Sequence, residues 1–154
     1  QKNIDAEVID ISKVTQTFDC TTAIFDVVNY LSYKQLEDFF AHNARVLNKN
    51  GYFIFDINSF YGFDVVAQGT LCLDHQDKFI TLDAFFEEDQ LNTHITLFEQ
   101  TKDKRYIKTS GTITQQYHSN ELLTNILNKV GFEIEELIPI NLHRQTEPDK
   151  YIFV

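Results

Sequence analysis

The stretch NARVLNKNGYFIFDINS, residues 43–59, runs from a helix-like segment through Gly51 into four apolar residues, and then into the polar Asp56 and Asn58. This order predicts a helix, a left-handed glycine cap and a buried strand. Ligands of open α/β sheets bind beyond the carboxyl ends of the strands. The polar end of this strand is therefore a candidate binding edge.

The first half of the chain predicts short strands alternating with a helix. The strands are expected at residues 7–11, 20–25 and 52–57, where apolar runs precede polar residues. Ser32 and Gln35 form a capping-box pattern, in which the Gln35 side chain reaches back to the backbone at the helix start. The helix that follows would carry the chain between two parallel neighbouring strands.

The second half has a different rhythm, rich in Thr, Ile and Phe. Short polar segments separate three runs, which predicts antiparallel strands at residues 78–88, 92–101 and 106–116. Ser119 is expected to cap a helix that Gly131 ends. Further strands are predicted at residues 132–138 and 151–154, and residues 60–77 have no clear assignment.

Composition excludes several classes of function. The chain has 154 residues, 43% of them hydrophobic, which suits one ordered domain. Its formal net charge of −10 disfavours sequence-independent binding to nucleic acid and binding to an anionic membrane. No apolar run reaches the length of a membrane span. The two cysteines and five histidines lack metal-ligand spacing, so we expect no metal site and a reduced, cytoplasmic protein.

Three acids follow predicted strands of the first half: Asp10, Asp26 and Asp56. If those strands are parallel neighbours, the three carboxylates should share one edge of the sheet. A single Asp at such a place is more simply a turn residue. Three at successive strand ends favour a binding site.

Residues 17–58, TFDCTTAIFDVVNYLSYKQLEDFFAHNARVLNKNGYFIFDIN, resemble the middle of a class I S-adenosylmethionine-dependent methyltransferase of the small-molecule type. EVIDIS resembles that family's third strand, QQYHSNELLTNILNKVGFEIEEL its final helix and strand, and YIFV its last strand. The resemblance implies an α/β fold with a partial Rossmann-like, doubly wound sheet. Residues 1–154 would form a single domain, with a core at 1–59 and 117–154 and an antiparallel β lid or substrate subdomain at 60–116.

The chain departs from this family at the cofactor loop. The family has a glycine-rich loop after its first strand and an acid after its second, but this sequence contains no Gly-x-Gly. Gln1 would fall between the second and third strands, and the absence of an initiator methionine favours truncation over loss. The sheet would then expose an edge able to pair with another copy, which predicts a possible homodimer.

The resemblance also implies roles for individual residues. S-adenosyl-L-methionine would be the cofactor, contacted by Asp10, Ile11, Phe25 and Asp26. A small-molecule methyl acceptor would face Asn29, Tyr30, Asp56, Asn58, Tyr61, Phe63 and Tyr117. His118 is a candidate general base. Each of these residues also has a plain structural explanation, as a core aromatic, a turn residue or the neighbour of a helix cap.

Two functions remain open from the sequence. One is the carboxyl-terminal portion of a small-molecule methyltransferase, inactive as this fragment and active in a longer parent. The other is a non-catalytic, methyltransferase-like module for binding or oligomerisation that has lost its cofactor.

Overall fold

The computed structural model describes residues 8–143 and 146–154, and these form two four-stranded sheets and two long helices. The helices are α1 (Tyr33–Arg45) and α2 (Asn120–Val130). The strands are β1 (Phe18–Ala23), β2 (Leu47–Asn58), β3 (Gly69–His75), β4 (Lys78–Glu87), β5 (Gln90–Gln100), β6 (Tyr106–Gln116), β7 (Leu137–Ile140) and β8 (Lys150–Phe153).

The first sheet has the strand order β1-β2-β8-β7. Strands β1 and β2 are parallel, and α1 connects them, which confirms the predicted strand–helix–strand unit. Strand β8 is antiparallel to both β2 and β7. The α/β class is confirmed, and the carboxyl ends of β1 and β2 meet at one edge of a mixed sheet.

The core lies between one face of this sheet and the two helices. Leu36 and Phe40 of α1 and Leu123 of α2 are fully buried there. Phe55 of β2 stacks on Phe153 of β8 with ring centroids 4.8 Å apart. Burial of each such side chain stabilises the fold by about 2 kcal/mol. The core therefore fixes the positions of β1 and β2, whose carboxyl ends form the edge.

Local signals at the helix ends behave as predicted. The Gln35 side-chain oxygen accepts a hydrogen bond from the Ser32 backbone N–H at 2.9 Å. Ser119 accepts one from the Leu122 N–H at 3.2 Å, and Gly131 ends α2 in the left-handed region at φ 100°. Both helices therefore begin at the residues that the sequence indicates.

The predicted left-handed cap at Gly51 is wrong. Asn50 has the positive φ of 62°, and Gly51 lies within β2. A Cβ on Gly51 would lie 2.9 Å from the carbonyl oxygen of Asp19 on the neighbouring strand. Glycine is required here by close backbone approach between β1 and β2, not by a helix cap.

The predicted strand at residues 7–11 is also wrong over its described part. Residues 8–10 have no regular structure, and Ile11–Lys13 form a short 3₁₀ helix. The Asp10 carboxylate accepts a hydrogen bond from the Ser12 N–H at 2.8 Å, which stabilises the turn. Glu7 lies outside the described residues.

The second sheet is an antiparallel meander in the order β3-β4-β5-β6. The three predicted strands are confirmed. Strand β6 has the predicted bounds, and the ends of β4 and β5 are shifted by at most two residues. Residues 60–77, left unassigned by the sequence, contain a π-helical turn at Gly62–Ala67 and strand β3. No described helix combines the length and the apolar character that a membrane-spanning segment needs.

Candidate functional site

The turn after β1 has an unusual backbone. Phe25 and Asp26 are consecutive non-glycine residues in the left-handed region, with φ of 63° and 60°. Each such residue costs roughly 1–2 kcal/mol. The turn leaves the Phe25 side chain 82% exposed. It therefore presents a free aromatic ring at the carboxyl edge of the sheet.

Lys150 joins the two acids of this edge. Its ammonium donates to a carboxylate oxygen of Asp26 and, at 3.0 Å, to Oδ2 of Asp56. The Asp26 N–H also approaches Asp56 Oδ1 at 3.4 Å. The antiparallel register sets Lys150 opposite Asn58 and Ile152 opposite Asp56, so β8 delivers the lysine to the end of β2. The structure thus brings two of the predicted acids together around a cation.

Burial and pairing act in opposite directions on these groups. Burial raises the pKa of Asp56, but the hydrogen bonds with Lys150 and Asp26, together with the Lys150 charge, outweigh it and leave the pKa below its usual 3.8. Burial lowers the pKa of Lys150, but its hydrogen bonds to Asp26 and Asp56 outweigh it and leave the pKa above 10.5. Asp56 and Lys150 are therefore both charged at neutral pH.

Asn29 links the two sheets at this edge. Its side chain is fully buried in the short helix Val27–Tyr30. The amide nitrogen donates to the Gln116 carbonyl at 2.9 Å, and the side-chain oxygen accepts from the Asn58 N–H at 2.9 Å. Both polar groups of the Asn29 amide are therefore used to join β2 to the end of β6. Its neighbour Tyr30 is half exposed.

His118 has a similar structural position. It is 3% exposed, and its Nε2 lies 3.0 Å from the Leu31 carbonyl oxygen. Burial lowers the pKa of His118, although hydrogen bonds to the backbone of Leu31 and Val28 partly oppose this. The imidazole is therefore neutral and directed at backbone carbonyls. This geometry argues against His118 as a general base.

A cleft of about 260 Å³ contains two of the predicted substrate residues, Tyr61 and Tyr117. Phe60 packs edge-on against Tyr117 with ring centroids 5.4 Å apart. Burial raises the pKa of Tyr117, with the nearby Asp89 charge adding to it, so the phenol stays protonated. The remaining lining residues are Ser59, Asn120, Glu147, Pro148 and Tyr151. The cleft can thus offer aromatic walls and a hydroxyl donor.

Phe63 lies behind this cleft and not in its wall. It is fully buried and packs on Phe86 of β4, with ring centroids 5.5 Å apart. The buried Phe63 therefore packs the π-helical turn against the second sheet.

A larger cleft, of about 680 Å³, lies between the amino-terminal part of β2 and the residues after α2. None of the predicted site residues lines this larger cleft.

The prediction that Asp10 shares an edge with Asp26 and Asp56 is wrong. Arg45, the last residue of α1, donates to the backbone carbonyls of Ile11, Ser12 and Val14. Because α1 starts at the Asp26 edge and runs back along the sheet, Asp10 and Ile11 lie at the opposite end. The 3₁₀ turn after Asp10, and not a strand, directs the chain there.

The described residues hold no group of three His, Cys, Asp or Glu side chains that could bind a metal ion, and Cys20 and Cys72 are free thiols. Sequence reasoning missed Lys150. A lysine that starts a strand is commonplace, and only the pairing of β8 with β2 shows that it meets two carboxylates.

No protein-family model and no curated protein sequence matches the chain. Solved structures do match it. An S-adenosylmethionine-dependent methyltransferase from Clostridium acetobutylicum superposes with a TM-score of 0.78 and 22% identity, over 96% of this chain and 62% of that one. The sugar N-methyltransferase KedS8 from Streptoalloteichus gives 0.71 and 14%, over 95% of this chain and 60% of that one.

A third match is CalS10, an amino pentose methyltransferase from Micromonospora echinaspora solved with S-adenosylmethionine bound. It gives a TM-score of 0.68 and 13% identity, over 94% of this chain and 61% of that one. The chain thus spans about three fifths of these structures. It has the fold of the class I S-adenosylmethionine-dependent methyltransferases.

Proposed function

We propose that this chain is the carboxyl-terminal portion of an S-adenosylmethionine-dependent methyltransferase that acts on a small molecule. The fold supports the class of enzyme, and the greater length of the matched structures supports a portion. The observation that carries the proposal is the strand edge, where a strained turn exposes Phe25 beside the carboxylates of Asp26 and Asp56. Strained non-glycine residues persist only where the surrounding structure holds them, and they cluster at catalytic and binding sites.

Phe25 and Asp26 are the residues of this chain that fit the cofactor. S-adenosylmethionine supplies a methyl group on a sulfonium and has an adenine ring. The exposed Phe25 ring offers an apolar surface for such a ring to pack on. Asp26, about one fifth exposed, offers a carboxylate acceptor although it already binds Lys150. The glycine-rich loop is not in this sequence, so we expect binding to the chain alone to be weak and the chain alone to be inactive.

The cleft beside Tyr61 and Tyr117 is the proposed acceptor site. Methyl transfer is an in-line displacement that depends on holding the acceptor close and aligned, with water excluded. Aromatic walls suit that task, and the protonated Tyr117 hydroxyl can donate a hydrogen bond. A neutral amine attacks the methyl group with its own lone pair and can release its proton to water afterwards. Such an acceptor needs no buried catalytic base, which agrees with the structural position of His118.

An amino sugar is the acceptor class that we favour. KedS8 is a sugar N-methyltransferase and CalS10 is an amino pentose methyltransferase, which supports a polar acceptor that carries an amine. The net charge of −10 attracts cationic small molecules and repels nucleic acid.

Calorimetry with S-adenosylhomocysteine tests the proposal. We expect saturable heat with the folded chain and about tenfold weaker binding for Phe25→Ala. Binding should be unchanged for Tyr33→Ala, which removes another exposed ring, 63% exposed, from the start of α1. Because the expected binding is weak, the ligand is raised to about 10 mM, which detects millimolar affinity. A folded chain that releases no heat at that concentration would overturn the proposal and favour the non-catalytic module. Equal weakening by both variants would remove Phe25 from the cofactor site.

A further inference from the structure

The cleft beside Tyr117 has two aromatic walls at right angles to each other. The rings of Phe60 and Tyr117 lie 5.4 Å apart between centroids with an interplanar angle of 84°, so they form a corner. Phe60 remains 49% exposed, which leaves part of its ring open to a ligand. Tyr61 and Tyr151 add two further rings to the lining. Such groups of aromatic rings attract cations, and methylated ammonium groups are the ligands that they typically hold.

The charge in and beside this cleft is negative. Among the described residues that line it, Glu147 is the one with a formal charge. Within the described part of the chain, the Glu147 carboxylate has no hydrogen-bond or ion-pair partner. Burial raises the pKa of the Tyr117 phenol, and the nearby charge of Asp89 raises it further. Two carboxylates therefore act on the space between the rings, and neither the lining nor Tyr117 supplies a positive charge.

The start of α2 opposes a cation, but its effect is smaller. Asn120, the first residue of α2, also lines the cleft. The amino end of a helix carries about half a positive charge. The Ser119 hydroxyl already accepts a hydrogen bond from the Leu122 N–H at 3.2 Å, which satisfies one of the free donors there. Because Glu147 and Asp89 each carry a full negative charge, the net field in the cleft favours a cation.

Glu147 is held at the cleft by the residues that follow it in the loop between β7 and β8. The Ser59 hydroxyl donates to the Pro148 carbonyl at 2.6 Å, and the Ser59 N–H donates to the Asp149 carbonyl at 3.0 Å. The buried Asp149 carboxylate accepts a hydrogen bond from the Leu142 N–H at 3.0 Å. The loop is thus tied to the end of β2, and this places the carboxylate of Glu147 beside the aromatic walls.

We propose that this cleft is an ammonium-binding site, in which Glu147 and the corner of Phe60 and Tyr117 select an acceptor that carries an amine. The inference deepens the acceptor site proposed above and rests on that proposal for its role in methyl transfer. During transfer, the acceptor nitrogen gives its lone pair to the methyl carbon, and the bond from that carbon to sulfur breaks with its electron pair left on sulfur. The positive charge thus moves from sulfur to nitrogen, and the nitrogen later releases its proton to water. A cleft that favours a cation stabilises this developing charge.

Nuclear magnetic resonance of the isotopically labelled chain tests the site with two probes of similar size, the cation tetramethylammonium as its chloride and the neutral tert-butyl alcohol. Sodium chloride at the same concentration controls for ionic strength. We expect saturable shifts of the Tyr61 and Tyr117 amide signals with tetramethylammonium, and at least about fivefold weaker binding of tert-butyl alcohol.

Two variants and a control examine the residues. Glu147→Gln should weaken tetramethylammonium binding about fivefold, because it removes the charge and keeps the shape. Phe60→Leu, which keeps an apolar side chain but removes the ring, should weaken it by a similar factor. The matched control is Glu133→Gln, which removes the same charge from the wall of the larger cleft and should leave binding unchanged. The dispersion of the amide signals checks that each variant is folded.

Equal binding of the two probes overturns the proposal, because the cleft would then select apolar size and not charge. The proposal is also overturned if Glu147→Gln binds tetramethylammonium like the unmodified chain, or if about 100 mM of the cation shifts no signal at the cleft. None of these measurements needs the cofactor. A chain that binds S-adenosylhomocysteine but not tetramethylammonium would refute the ammonium site alone. A chain that binds tetramethylammonium through Glu147 but not S-adenosylhomocysteine would support the site and count against the proposed methyl transfer.

Discussion

Replacing Lys150 with Met tests whether the cation holds the strand edge together. The ammonium bonds both Asp26 and Asp56, and the three side chains are 22%, 23% and 18% exposed. Methionine keeps the length and apolar stem of the lysine but removes its charge. Two partly buried carboxylates would then face each other without a counter-charge.

The expected loss follows from the exposure of the cluster. Breaking a buried ion pair costs about 3–5 kcal/mol, and exposed pairs contribute about 0–1 kcal/mol. A cluster about one fifth exposed lies between these limits, so Lys150→Met should lower the free energy of unfolding by about 2 kcal/mol at neutral pH. For a domain of this size, that loss lowers the melting temperature by roughly 6 °C.

The pH dependence has a defined sign. The pKa of Asp56 is lowered in the fold, so its contribution to stability is present above the unfolded value of 3.8 and is lost as pH falls through the folded pKa. The pKa of Lys150 is raised, so its contribution is present below 10.5 and is lost as pH rises through the folded pKa. The difference between the unmodified chain and Lys150→Met should therefore be greatest between these limits and shrink in acid.

Urea denaturation followed by far-UV circular dichroism measures this difference, since the chain has no tryptophan. The control is Lys129→Met, which removes an exposed lysine whose ammonium lies 2.8 Å from Glu37 and should leave the midpoint unchanged. The reasoning fails if the two variants are equally stable at neutral pH. It also fails if the Lys150→Met deficit persists undiminished in acid.

Three further changes probe the same edge. Asn29→Ala removes two buried hydrogen bonds and should cost about 2 kcal/mol, with faster amide exchange between the sheets; unchanged exchange would contradict this. Gly62→Ala would set a Cβ against the Asp149 carbonyl oxygen, closer than van der Waals contact, and should cost at least about 2 kcal/mol. Its control, Gly111→Ala, meets open space and should change stability by less than about 1 kcal/mol. Equal urea midpoints for the two variants would refute the steric argument. Burial lowers the pKa of His118, so the contribution of the neutral imidazole to stability is present above pH 6.5 and is lost as pH falls through the folded pKa. A His118→Gln variant should therefore lose less stability in acid than the unmodified chain. Equal pH dependence of the two chains would contradict this.

The sequence predicts those features whose causes are local. The Ser32–Gln35 contact and the Gly131 cap depend on neighbours within a few residues, and both are confirmed. The alternating pattern of the second sheet likewise predicts its strands. The apolar spacing of α1 predicts the buried face that carries Leu36 and Phe40.

The failed predictions have causes distant in the chain. Gly51 is fixed by the backbone of Asp19 on another strand, a contact that no helix-cap rule anticipates. The residues around Asp10 have strand-like composition, but those that the structure describes pair with no strand and form a turn instead. Strand propensity reflects packing against neighbours more than intrinsic backbone preference.

The candidate site depends on such distant contacts. Lys150 reaches Asp26 across 124 residues of sequence, and Asn29 reaches Gln116 across 87. The left-handed turn at Phe25 and Asp26 costs roughly 2–4 kcal/mol in total, comparable with what the Lys150 cluster contributes. The contacts of Lys150 and Asn29 therefore offset the strain of the turn only when β8 and β6 are in place. A binding edge built in this way forms with the whole fold, so a change that loosens β8 should release the Phe25 turn before it exposes the core.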